Sequence, residues 1–186
     1  FFRKELLDIK NNKRILGLII FGSIPLIVFG YFLYTTGIIY SLRNIEIIAW
    51  TTLIFGILLY LADKRKLYKN ISTDLNLKTI FYIGLFQVLA LVPGVSRAGI
   101  TITAARIFKF NRVDASKISF LLSIPALAGA STLGLKDILE QNFEFNYLVY
   151  LAIISSFLFS FFTVKFFLIY INKFSMNAFV IYRIII

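Results

Sequence analysis

The feature that most constrains this chain is the spacing of its charges, which fall in short runs between long uncharged, apolar stretches. The stretch 15–34 holds 20 uncharged residues, and a transmembrane helix needs about 20 mostly apolar residues. Uncharged stretches of the same character follow at 47–62, 118–135 and 145–164. A soluble domain of 186 residues, 59% of them hydrophobic, would leave much of this apolar surface in water. We therefore predict an all-α, polytopic membrane helix bundle.

Two missing residue types exclude several classes of site. The sequence contains no Cys, so it has neither a disulfide framework nor a thiolate metal site. It contains no His, which excludes an imidazole base, a phosphohistidine and a histidine metal ligand. The net charge of +11 lies beside the ends of the apolar stretches, as membrane topology predicts, so we expect no nucleic-acid partner.

The segment 79–110 does not fit a simple membrane span. Its first half, 79–92, is apolar but only about 21 Å long at the rise of a helix. Pro93 and Gly94 then break the helix, because proline lacks an N–H group and glycine loses more backbone entropy than other residues. A second half runs from Arg97 to Phe110. Either the segment crosses once, with Arg97 emerging on the far side, or it enters and returns.

The distribution of basic residues favours a segment that returns. In that case the segments 1–14, 63–78 and 106–117 share one face, with five, five and four Lys or Arg residues. A single crossing would place Arg97 and the last of these segments on the opposite face, against the positive-inside rule. We therefore predict a re-entrant helix–turn–helix at 79–110, inside one integral membrane domain that covers 1–186.

The tip of this hairpin carries a charge that needs a partner. An arginine at the bilayer centre costs about 2.5–3.5 kcal/mol on insertion scales, and no Asp or Glu lies within the apolar stretches. Around Arg97, Gly94 allows close approach, Ser96 offers a hydroxyl, and the following helix directs free N–H groups at the turn. Because guanidinium binds phosphate oxygens bidentately, the tip is predicted to bind an anionic ligand.

A simpler interpretation gives these residues no function. In it, Arg97 reaches a lipid headgroup and Ser96 only caps a helix. We favour a functional site because several polar groups converge at one helix break. Thr101 lies one helical turn beyond Arg97, and Gln87 lies on the otherwise apolar first half-helix.

The run QVLALVPGVSRAGIT at 87–101 resembles the second signature of the undecaprenyl-diphosphatase (bacitracin-resistance) family. That signature is an apolar half-helix with Gln, followed by Pro-Gly-x-Ser-Arg-Ser-Gly-x-Thr. The likeness implies a bacterial inner-membrane, multi-pass enzyme that removes one phosphate from undecaprenyl diphosphate, a polyprenyl lipid reached from the outer face, for cell-wall carrier recycling. The likeness continues through Arg112, Ala115-Ser116, Ser119-Phe120, Pro125 and Tyr182-Arg183.

The resemblance also implies roles for the residues of the tip. Arg97 and Ser96 correspond to catalytic residues that grip the diphosphate. Ala98 stands where the family has a second Ser, which removes one hydroxyl contact but not the cationic anchor. The residues expected to complete the substrate-binding cradle are Gly94, Thr101, Pro93 and Gln87.

The family's first signature has paired glutamates, a Ser pair and a His, and the resemblance places it before Phe1. Those carboxylates would bind a divalent cation, Mg or Ca, or handle protons, and no metal ligand is predicted in this chain. We interpret the chain as a fragment that lacks this signature and the C-terminal end, and expect it to be inactive by itself.

Other functions fit parts of the pattern. Broken helices that meet at mid-membrane around an anion also build transporters and flippases for phosphate-bearing substrates. A lipid phosphatase with a histidine nucleophile is disfavoured by the lack of His, and a structural membrane subunit would not need Arg97. The oligomeric state, including a homodimer, stays open.

Overall fold

The computed structural model describes residues 9–64, 68–140 and 146–186. Within these ranges the chain is helical and has no β-strand. A 3₁₀ turn, Leu89–Leu91, directly follows the helix Leu77–Val88. The helices are α1 Ile9–Thr35, α2 Ile38–Ser41, α3 Ile45–Asp63, α4 Ile71–Asp74, α5 Leu77–Val88, α6 Arg97–Ile107, α7 Arg112–Glu140, α8 Tyr147–Lys173 and α9 Asn177–Ile185.

Four helices are long and apolar enough to cross a membrane, and they cover the four stretches predicted from the sequence. They are α1, α3, α7 and α8, whereas the apolar segment Leu77–Leu91 is shorter. Large apolar side chains cover the outside of the bundle, and on α8 the exposed fraction is 69% for Phe157 and 74% for Phe159. Lipid tolerates such a surface and water does not. The prediction of an all-α polytopic membrane bundle is therefore confirmed.

Helices α5 and α6 form a hairpin whose two ends lie side by side. The Lys69 N–H donates to Lys109 O at 3.1 Å, and the Asn111 N–H donates to Lys69 O at 3.1 Å. These bonds join the residues just before the hairpin to those just after it. The helix–turn–helix therefore returns to the end at which it starts; its re-entry into a membrane stays a prediction.

The other basic segments meet the hairpin at this same end. Arg14, on α1, donates to Ser72 O at 3.2 Å and to Leu75 O at 2.7 Å. Asp63, the last residue of α3, accepts from Arg112 Nε at 2.7 Å. The described parts of the segments 1–14, 63–78 and 106–117 thus share one end of the bundle, which we call the basic end. Residues 141–145 lie outside the described residues, as do four basic residues counted above, Arg3, Lys4, Arg65 and Lys66.

The tip of the hairpin lies against the half of α3 that is distant from the basic end. Thr51 and Thr52 of α3 contact the carbonyls of Pro93 and Gly94. At 1.5 Å per residue, Thr51 lies about 18 Å from the basic end of α3, and the hydrocarbon core of a bilayer is about 30 Å thick. The tip therefore lies nearer to the opposite end of the bundle, where Tyr34 donates to Asp137.

The core of the bundle surrounds the hairpin. Ile80 and Ile83 on α5 are completely buried, as are Ile118 and Leu122 on α7. Ile102 on α6 is only 3% exposed. Apolar side chains on both helices of the hairpin therefore hold it between α1 and α7.

A close crossing of backbones joins α1 to the first hairpin helix. A Cβ on Gly84 would collide with Gly22 O and lie only 2.9 Å from the Gly22 carbonyl carbon. The neighbouring groups are backbone, which cannot rotate away. Small residues allow this kind of approach between helices in a membrane. Gly84 therefore sets how closely α5 packs against α1.

We expect Gly84→Ala to lower the free energy of unfolding by about 3 kcal/mol, because the added methyl group must push two backbones apart. Thermal unfolding in detergent measures the change. Gly17→Ala is the matched control, since a Cβ at that position on α1 meets nothing within 4 Å. Equal melting temperatures for the two variants would contradict the close crossing.

Candidate functional site

The turn at the tip has an unusual backbone. Gly94 has φ +89°, and Ser96 has φ +65° with ψ 113°. A residue with a side chain held at such angles costs about 1–3 kcal/mol and persists only when its surroundings impose it. Ser96 also caps α6, because its Oγ accepts from the Gly99 N–H at 3.3 Å. The Ser96 hydroxyl is thus placed at the start of α6 on an exposed residue.

Side chains from two other helices hold the backbone carbonyls of the turn. The Thr51 hydroxyl lies 2.6 Å from Pro93 O, and Thr52 donates to Gly94 O at 3.3 Å. From α9, Arg183 Nη2 donates to Gly94 O at 3.0 Å and to Val95 O at 2.8 Å. Protein groups therefore satisfy these carbonyls at a depth where lipid offers no hydrogen bonds.

Gly94 is required for the packing of this turn. A Cβ on Gly94 would collide with the Thr51 hydroxyl and lie 2.6 Å from Ile48 O. The lack of a side chain at position 94 therefore allows α3 to pack closely against the turn. The sequence analysis expected it to allow the close approach of a ligand. Pro93 is also engaged by α3, through its carbonyl. Substrate contacts by Gly94 and Pro93 stay a prediction.

Arg97 is the first residue of α6 and is half-buried. Its Nη1 is buried and has no hydrogen-bond partner among the described residues. Arg97 also forms no ion pair with a carboxylate in the described ranges. A buried, unpaired charge is costly, so this geometry supports the predicted need for an anionic ligand.

Thr101 is turned into the bundle. It is completely buried, and its hydroxyl lies 2.6 Å from Ser119 Oγ of α7 and 2.8 Å from Arg97 O. The contact with Ser119 joins α6 to α7, and the contact with Arg97 O lies within the first turn of α6. Thr101 therefore positions the backbone of Arg97, and direct substrate contact by its hydroxyl stays a prediction.

Gln87 is completely buried on α5. Neither amide atom of its side chain has a hydrogen-bond partner in the part of the chain that the structure describes. Buried amides are normally paired, so this side chain keeps hydrogen-bonding capacity that the described residues do not use.

Sequence analysis assigned no role at the tip to three groups that lie there. Thr51 and Thr52 gave no signal, because hydroxyls in a membrane helix usually bond to their own backbone. Arg183 did give one, since it is the only charge in the apolar run 178–186, as Arg97 is in the stretch 79–105. Only the packing of α9 shows that both arginines reach the same turn.

The described residues do not make up a metal site. They contain no group of three or more His, Cys, Asp or Glu residues that could hold a metal ion. The described residues therefore offer no ligand set for the divalent cation that the family resemblance implies.

Comparisons with known proteins agree with the motif at the tip. A model of the family described as bacitracin resistance protein BacA matches residues 1–186. An undecaprenyl-diphosphatase of Pelagibacter ubique is 68% identical over 187 residues, which cover 100% of this chain and 73% of the relative. One of Elusimicrobium minutum is 40% identical over 193 residues, covering 99% of this chain and 73% of the relative. One of Alcanivorax borkumensis is 40% identical over 178 residues, covering 95% of this chain and 67% of the relative. This chain belongs to the bacitracin resistance protein BacA family.

Proposed function

We propose that this chain is an undecaprenyl-diphosphatase, the activity named in its relatives, and that it binds the lipid diphosphate at the hairpin tip. One observation carries the placement of the site: the buried Nη1 of Arg97 has no partner among the described residues. A diphosphate supplies the missing negative charge. The motif at 87–101 and the relatives support the same activity, which regenerates the monophosphate carrier for cell-wall synthesis.

The chemistry requires stabilisation of negative charge. Hydrolysis forms a bond from a water oxygen to the terminal phosphorus and breaks the bond from that phosphorus to the bridging oxygen. The lipid monophosphate leaves with the electrons of the broken bond, so charge develops on the phosphate oxygens. A guanidinium fixed beside these oxygens in low dielectric stabilises that charge without reorganising. Arg97 has this position in the proposal.

The neighbouring residues hold this cation in place. Ser96 caps α6 by accepting the Gly99 N–H, and the start of a helix directs N–H groups at the turn that precedes it. The Ser96 hydroxyl is exposed and within reach of a ligand bound there. Thr101 and Ser119 fix the backbone of Arg97 against α7. The site is therefore preorganised, which suits electrostatic catalysis.

The depth of the tip supports an approach of the lipid from the face opposite the basic end. Thr51 and Thr52, which contact the tip, lie in the half of α3 that is distant from Asp63. By the positive-inside rule the basic end is cytoplasmic, which makes the opposite face the outer one. We propose the bacterial inner membrane as the location. A divalent cation, Mg or Ca, with ligands outside this sequence is part of the proposal, and a homodimer stays a prediction.

We expect Arg97→Ala to lower turnover at least about 100-fold with the fold retained, because it removes the main charge-stabilising group. Phosphate release from undecaprenyl diphosphate is measured with the purified product of the complete coding sequence in detergent. Arg97→Lys keeps the charge but not the bidentate geometry, and we expect an intermediate loss. Lys78→Gln is the control, because it removes an exposed cation at the base of the same hairpin.

Two results would count against this assignment. If Arg97→Ala turns over like Lys78→Gln, the arginine is not part of the site. If the unaltered protein releases no phosphate but moves the lipid diphosphate across vesicles, the transporter or flippase interpretation replaces the enzyme.

Ser96 allows backbone strain to be separated from the role of its hydroxyl. We expect Ser96→Ala to lose about 1 kcal/mol of stability, because it removes the cap and keeps the strained φ. Ser96→Gly removes the strain and is expected to be at least as stable as the unaltered protein. Both variants lack the hydroxyl, so turnover is expected to fall about 10-fold in each. Full turnover in Ser96→Gly would show that the hydroxyl does not contact the substrate.

A further inference from the structure

Arg183 reaches the hairpin tip from a helix that carries no other charge. It lies on α9, which packs against α3. The side chain passes Gly56, where an added Cβ would lie 3.4 Å from Arg183 Cβ. The glycine thus leaves room for the arginine between the two helices. Its guanidinium ends at the turn that precedes α6.

The two terminal nitrogens of this guanidinium have different surroundings. Nη2 donates to Gly94 O at 3.0 Å and to Val95 O at 2.8 Å. Nη1 is buried and has no hydrogen-bond partner among the described residues. Arg183 also forms no ion pair with a carboxylate in the described ranges. One half of the group therefore holds the turn, and the other half retains unused donors.

The unused half faces the start of α6. Arg183 Nη1 lies 3.1 Å from the position that a Cβ on Gly99 would take, and Ser96 Oγ lies 3.3 Å from the same position. Nη1 and the Ser96 hydroxyl therefore both lie beside Gly99 in the first turn of α6. Arg97, also with a buried Nη1 lacking a partner, begins the same helical turn.

We infer that Arg183 is a second cationic ligand of the substrate and that it binds the diphosphate together with Arg97. This inference rests on the proposed function. A diphosphate has two phosphate groups and more negative charge than a monophosphate ester, so two guanidinium groups favour it over the monophosphate product. Arg183 thereby sets the preference of the site for its substrate over its product.

A purely structural role is the competing explanation, and Arg14 shows what such a role looks like. Arg14 also donates to two backbone carbonyls, Ser72 O and Leu75 O, but at the basic end. It uses both terminal nitrogens for these bonds, Nη1 for one and Nη2 for the other. Arg14 is therefore a matched control: the same residue type with the same carbonyl chemistry, distant from the tip.

The test compares inorganic pyrophosphate with inorganic phosphate as probes. The purified product of the complete coding sequence is titrated with each anion, and binding is read from the shift in melting temperature, which does not depend on turnover. Inhibition of phosphate release by the same anions gives a second measure. The variants are Arg183→Gln, Arg183→Lys and Arg14→Gln.

We expect the unaltered protein and Arg14→Gln to bind pyrophosphate more tightly than phosphate. In Arg183→Gln this preference is expected to fall about 10- to 100-fold, the equivalent of one lost hydrogen bond to a charged group. Arg183→Lys is expected to recover part of the preference, because it restores the charge without the second donor pair.

Gly99→Ala tests the inference if Arg183→Gln does not fold. The new methyl group would lie 3.1 Å from Nη1 and 3.3 Å from Ser96 Oγ, so it crowds both groups beside the start of α6, and the preference for pyrophosphate is again expected to fall. An unchanged preference in Arg183→Gln, or in Gly99→Ala where only that variant folds, would overturn the inference, as would no preference in the unaltered protein. If binding follows the expectation but no phosphate is released from the lipid, the proposed function fails while the anion site stands.

Discussion

The backbone carbonyls at the tip of a half-length helix pair need hydrogen-bond donors that lipid cannot provide. The packing of the helices around the tip depends on this constraint. The carbonyls of Pro93, Gly94 and Val95 are held by hydroxyls from α3 and by the guanidinium of Arg183 from α9. These bonds require α3 to approach closely enough that only glycine fits at position 94. Because the turn is fixed from two sides, it can keep Ser96 at a positive φ and present α6 with its start deep inside the bundle.

The arginines at the two ends of the hairpin differ in whether a carboxylate of the described residues pairs with them. At the basic end, Asp63 is 3% exposed and forms ion pairs with Arg106 and Arg112. It also accepts the Met176 N–H at 3.1 Å, so one carboxylate joins α3, α6, α7 and the start of α9. At the tip, Arg97 and Arg183 have no carboxylate partner among the described residues, although both are partly buried. The fold thus supplies its own anion where charge serves structure. At the tip, where the substrate is proposed to bind, the described residues supply no anion.

Charge spacing predicted the topology because the positive-inside rule acts on whole segments and needs no atomic detail. The same reasoning identified Arg97, since a charge inside an apolar segment needs a partner wherever its neighbours lie. Contacts between distant helices were not accessible to it. The sequence predicts that a ligand approaches Gly94, and it does not show that α3 also packs against this residue. Thr101 shares a helix face with Arg97 in the sequence, but its hydroxyl contacts Ser119 of α7. The placement of Arg183 depends on how α9 docks on α3, which no local pattern encodes.

The most direct test of this account asks from which side of the membrane each end of the hairpin is reached. The sequence has no Cys, so single cysteines can be introduced without background from these residues. Tyr68→Cys, Lys109→Cys and Thr36→Cys, all at exposed positions, are labelled with a membrane-impermeant thiol reagent in oriented vesicles. The account predicts that positions 68 and 109 react from the same side and position 36 from the other. Labelling of position 109 from the side opposite to position 68 would show that the segment crosses the membrane, and the buried tip would be lost with it.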